Sequence, residues 1–82
     1  MKVSISFFGL QRKLAKTDRI QVALSNKIQL VADLFKYMDE NYPKLLLRKE
    51  MVLVTVNDNI SSMDQRLNDK DEVSFIPHIG GG

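Results

Sequence analysis

Leu30-Val31-Ala32-Asp33-Leu34-Phe35-Lys36-Tyr37-Met38-Asp39-Glu40-Asn41-Tyr42-Pro43, residues 30–43, is where the hydrophobic period of the chain changes. Leu30, Val31, Leu34, Phe35 and Met38 recur at three- and four-residue steps, with Asp33, Lys36, Asp39 and Glu40 on the other side. That spacing predicts an amphipathic helix from about Leu30 to Asn41. Pro43 ends it, because a proline disfavours helical backbone at the residue before it, here Tyr42.

On both sides of this helix the period is two. From Lys2 to Phe8, Val3, Ile5 and Phe7 alternate with Lys2, Ser4 and Ser6; from Arg19 to Ser25, Ile20, Val22 and Leu24 alternate with Arg19, Gln21 and Ala23. Each run reads as a strand with one buried face. They form a hairpin whose long polar connection is Gly9 to Asp18. After the helix, a turn through Lys44 to Glu50 leads to a third strand carrying Val52, Val54 and Val56. Asn57-Asp58-Asn59 closes it with residues that tolerate left-handed backbone. A short strand near Ile60 to Met63 follows, then a polar turn from Leu67 to Glu72 and a last strand from Val73 to Pro77, whose proline removes one ladder donor. The order β, β, α, β, short β, β predicts an α+β β-grasp, or ubiquitin-like, fold. It is a mixed sheet of four to five strands wrapped on one helix, with residues 1–77 as a single domain and 78–82 as a flexible glycine tail.

Composition bounds what such a domain does. Its 82 residues include no Cys and a single His, so disulfides, thiolate metal sites and cysteine nucleophiles are excluded. His78 has no second imidazole with which to build a metal site, so we read the chain as not an enzyme and assign it no metal. Twelve Lys and Arg against ten Asp and Glu leave a net charge of +2 spread along the chain, which argues against nucleic acid as a partner. No apolar run approaches the roughly 20 residues of a membrane span, and the alternating N-terminus does not read as an export signal. We expect a soluble cytoplasmic protein with no membrane partner.

Three of the four glycines are Gly80, Gly81 and Gly82. Glycine loses more backbone entropy on ordering than any other residue, so it is informative where its missing side chain is used. Lacking Cβ atoms, these residues suit an extended path through a narrow channel in a partner, and they end in an unhindered carboxylate. At neutral pH that carboxylate is an anion able to attack the α-phosphorus of ATP, yet a poor acylating agent until a better leaving group is attached. The body of the chain holds only Gly9 and no phosphate-cradling loop, so ATP belongs to a partner and no cofactor is bound here.

Leu67-Asn68-Asp69-Lys70-Asp71-Glu72-Val73-Ser74-Phe75-Ile76-Pro77-His78-Ile79-Gly80-Gly81-Gly82 resembles the C-terminal signature of the MoaD/ThiS ubiquitin-like sulfur carriers, L-x-D-G-D-E-V-x-x-x-P-P-V-x-G-G. The likeness extends to Phe8 with Arg12 after it, Asp33-Leu34 in the helix, Tyr42-Pro43 at its end, and Asn57. Most signature positions match, and three departures matter: Lys70 stands where the family usually has Gly, His78 replaces the second proline, and Gln29 stands where Thr is favoured. The resemblance implies that an E1-like enzyme adenylates Gly82 and that a sulfur donor protein converts the adenylate to a thiocarboxylate. The sulfur then passes to a biosynthetic acceptor, most simply a larger molybdopterin synthase subunit in molybdenum cofactor synthesis. Carriers of thiamine or tRNA thiolation, and ubiquitin-like modifiers joined to target lysines, begin with the same adenylate.

Alternation also nominates a docking face. With Val52, Val54, Val73 and Phe75 facing the helix, Leu53 and Ile76 point outward side by side. Phe8, Met51, Pro77, His78 and Ile79 extend this patch toward the tail. Apolar residues on an otherwise Ser, Gln and Lys face suggest a partner-binding surface. We read His78 as a solvated contact residue, the bases around Gly9 to Asp18 as a solvated loop, and Leu30, Leu34 and Met38 as core.

Overall fold

The computed structural model describes residues 1–78. Its elements are β1 (Lys2–Phe7), α1 (Gly9–Ala15), β2 (Arg19–Ala23), α2 (Val31–Asn41), a 3₁₀ turn (Pro43–Leu45), β3 (Val52–Val56), β4 (Asn59–Ile60) and β5 (Glu72–Pro77). The five strands form one mixed sheet in the order β2-β1-β5-β3-β4, with β1 and β5 parallel and every other neighbour antiparallel. This is the expected β-grasp. The first and last strands lie side by side at its centre.

Period-two alternation puts Val3, Ile5 and Phe7 of β1, Val54 and Val56 of β3, and Val73 and Phe75 of β5 on one face. The buried stripe of α2, Val31, Leu34, Phe35 and Met38, closes over them. Phe35 meets Phe75 edge-to-face at 5.1 Å and 81°, the geometry aromatic quadrupoles favour. Burying each such side chain stabilises the fold by about 1.5–3 kcal/mol, and with no disulfide the fold depends on this core.

Two parts of the architecture depart from expectation. The connection from Gly9 to Asp18 is not simply a polar loop: it contains α1, whose Gln11 is buried and whose Ala15 packs against the core. Gly9 opens α1 at φ 56°, and Lys16 closes it at φ 60° while its N–H donates to the Arg12 carbonyl. Secondly, residues 62–67 form a strap across the start of α2 rather than a longer strand. The Val31 and Ala32 N–H groups donate to the carbonyls of Gln65 and Met63, and Leu67 N–H donates to Gln29. The first two of these bonds satisfy donors that a helix start leaves unpaired. Asp33 completes the cap by accepting from the N–H groups of Leu30 and Gln29 at 2.9 and 3.1 Å.

Beyond Val56, Asn57 and Asp58 both take positive φ, 51° and 69°, and join β3 to β4 as a two-residue hairpin turn. No helix among the described residues is long and apolar enough to cross a membrane.

Candidate functional site: the outer sheet face

The sheet face turned away from α2 is divided along its length. At the start of β1 and β5 it is polar: Arg19 and Glu72 form an ion pair at 2.8 Å beside Lys2, Ser4 and Gln21. At the opposite end it is apolar. Leu53 of β3 stands directly opposite Ile76 of β5, both half-buried. Because Phe7 is in register with Phe75, Phe8 lies one residue further on, beside Ile76, and its extended backbone turns its ring outward. Phe8 is 44% exposed and Met51 50%, so the patch has an open rim around a half-buried centre.

Hydrogen bonding extends past the proline. The His78 N–H donates to the Met51 carbonyl at 3.0 Å, which makes Met51 and His78 the next bonded pair after Leu53 and Ile76. The nitrogen of Pro77 therefore points to the β1 side, where β1 has already turned into α1, so its missing proton removes no bond to β3. Pro77 itself is opposite the buried Val52, on the helix side of the sheet. A Cβ added at Gly9 would lie 2.7 Å from Pro77 Cγ, so the turn from β1 into α1 closes directly over this proline.

Of the proposed contact residues, the structure gathers Phe8, Met51, Leu53, Ile76 and His78 at one end of the outer face. Pro77 lies behind them, bracing the point where the chain leaves the sheet. Ile79, Gly80, Gly81 and Gly82 lie outside the described residues. The Arg19–Glu72 pair was not foreseen from sequence. Its signal was the register that parallel β1 and β5 impose, which no local pattern carries. Hydrogen bonds from the Leu30 and Gln29 amides, with help from Lys36, hold the Asp33 carboxyl below the ordinary aspartate value of 3.8. It serves the start of α2, not the outer face.

The chain matches the ThiS family over residues 5–82, a span that takes in the sheet except for the first three residues of β1 and reaches the terminal glycines. It belongs to that family. The molybdopterin synthase sulfur carrier subunit of Mycobacterium tuberculosis is 34% identical to this ThiS family member over 83 residues, covering 100% of this chain and 99% of the relative. The Escherichia coli protein of the same description is 33% identical over 82 residues, covering 98% and 99%. The fold also matches a chain from a protein–protein complex of subunits 1 and 2 of molybdopterin-converting factor from Helicobacter pylori. There the TM-score is 0.70, with 22% identity and 100% of both chains covered.

Proposed function

We propose that this ThiS family member is a sulfur carrier, the small subunit of a molybdopterin synthase, and a substrate of enzymes rather than a catalyst. The observation that carries the reading is full-length similarity to two molybdopterin synthase sulfur carrier subunits, with the terminal glycines inside the family match. In the chemistry we envisage, a Gly82 carboxylate oxygen attacks the α-phosphorus of ATP held by an E1-like partner, and pyrophosphate leaves. A sulfur nucleophile at the hydrosulfide level from a donor protein then attacks the acyl carbon, AMP leaves, and a thiocarboxylate remains. Hydrolysis after sulfur transfer restores the carboxylate.

The apolar end of the outer face supports this scheme energetically. Ordering several glycines in a partner's channel costs about 1–2 kcal/mol per residue in backbone entropy, so affinity must come from a surface beside them. Phe8, Leu53 and Ile76 supply such a surface. The Helicobacter pylori fold neighbour, taken from a two-subunit complex, is consistent with a larger synthase subunit as the occupant.

The test is ATP–pyrophosphate exchange with the cognate activating enzyme, using chains that lack Gly82 or extend beyond it. Both should lose exchange while remaining folded, and unchanged exchange would refute Gly82 as the acyl group. Intact-mass analysis of protein from its own host should reveal a species with one oxygen replaced by sulfur. Branched Gly–Lys peptides after digestion, without that species, would instead indicate a protein modifier.

A further inference from the structure

A second apolar surface lies along the seam between α1 and the 3₁₀ turn. Leu10 and Leu14, one helical turn apart, are 46% and 37% exposed; Tyr42 and Leu46, at the two ends of the 3₁₀ turn, are 37% and 50% exposed. Between α1 and that turn opens a cleft of about 340 Å³, floored by Phe7, Ile20 and Leu45 and walled by Leu14, Tyr42 and Pro43. That volume is at the lower end of clefts that enclose a ligand, enough for one or two side chains. Leu46 adopts φ 53°, left-handed backbone that costs a leucine about 1–2 kcal/mol, and it remains in solvent while Leu45 and Leu47 on either side are buried.

The two elements that form the cleft, α1 and the 3₁₀ turn, contain basic residues and no acid. Lys44 is the one charged residue of its lining. α1 contains Arg12 and Lys13 and no acid, and Lys16 caps it. Asp18, the nearest acid in sequence, is paired with Arg12 at 3.5 Å, whereas Lys13, Lys16 and Lys44 form no ion pair among the described residues. The acids in the last turn of α2, Asp39 and Glu40, line other clefts, each alongside Lys36.

We propose that this cleft docks an acidic segment of a partner protein. One large apolar side chain enters between Leu14 and Tyr42, and flanking carboxylates meet Lys13, Lys16 and Lys44. The aliphatic floor favours a protein anchor over a phosphate backbone, which would use the lysines and leave the cleft empty. The proposal does not depend on the sulfur-carrier reading.

The test is titration of the ¹⁵N-labelled full-length protein with the peptide Glu-Asp-Asp-Leu-Phe-Glu-Asp-Asp. Amide shifts should centre on Leu14, Ile20, Tyr42 and Lys44. Lys44→Glu and, separately, Leu14→Ser should each weaken binding about tenfold in protein that circular dichroism shows to be folded. Lys44→Ala, a milder change at an exposed position, should weaken it less than Lys44→Glu. Any of several results would overturn the proposal: no binding at about 1 mM peptide, shifts centred on Phe8, Leu53 and Ile76, or equal binding of a peptide with Gly-Ser in place of Leu-Phe. Tighter binding of oligouridylate, or self-association through these residues in sedimentation, would likewise reject a protein partner of this chemistry.

Discussion

Gly9 is the residue on which the tail end of the domain turns. Its positive φ suits glycine, and Pro77 fills the space where a Cβ would project. Gly9→Ala combines left-handed strain with a clash against a proline ring that has little freedom to move, and should lower unfolding stability by about 2–3 kcal/mol in urea titration. Lys70 presents the reverse case. It holds φ 70° while its N–H donates to the Lys2 carbonyl, so a non-glycine residue bears the strain where the family pattern has glycine. Lys70→Gly removes the strain at the cost of a more flexible unfolded chain, and should raise stability by up to about 1 kcal/mol. A loss on Lys70→Gly, measured by the same titration, would show that the lysine side chain contributes more than its backbone costs.

Among the elements, β3 separates core from docking face within adjacent residues. Val54→Asp places an unpaired charge against α2 and should unfold the domain, whereas Leu53→Asp should cost about 1 kcal/mol or less and weaken partner binding by more than about 1 kcal/mol. Equal damage from the two in thermal melts would contradict the orientation of the face. At α2 the prediction concerns pH. Asp33 has a depressed pKa in the folded state, so its stabilising effect is fully present above 3.8 and is lost as pH falls through the lower folded value. Asp33→Asn should therefore be less stable than the parent at neutral pH, with the gap narrowing as pH drops below that range in denaturation curves. The helix itself was readable from period and proline, but its cap was only half readable. Asp33 is local, while the carbonyls of Met63 and Gln65 come from a strap distant in sequence. α1 escaped detection because a helix of about two turns opened by glycine, with no Ser, Thr, Asp or Asn cap, has almost no intrinsic signal and is held by packing of Gln11 and Ala15.

For the whole molecule, Asp71 ties the ends of the sheet together. Buried to 7% exposure, its carboxylate accepts from Asn57 Nδ2 at 2.9 Å and from the Asn68 N–H at 2.7 Å, joining the β3–β4 turn to the loop before β5. Asp71→Ala leaves both donors without this partner and should destabilise the fold by about 2 kcal/mol in thermal or urea unfolding. The sequence alone was enough for the order of the strands along the chain and for α2, for most core residues though not for Leu30, which caps α2 half-buried, and for the family signature and the outward pair Leu53 and Ile76, because these depend on local periodicity and on residue types with few conformational alternatives. Only the tertiary structure decided that β1 and β5 pair in parallel register. That register sets Phe8 beside Ile76, joins Arg19 to Glu72 and turns Pro77 under Gly9. It likewise decided that α1 and the 3₁₀ turn leave an apolar cleft with Lys44 in its lining. Such features arise from contacts between segments far apart in the chain, whose alignment is set by how the whole core packs and not by the residues beside them.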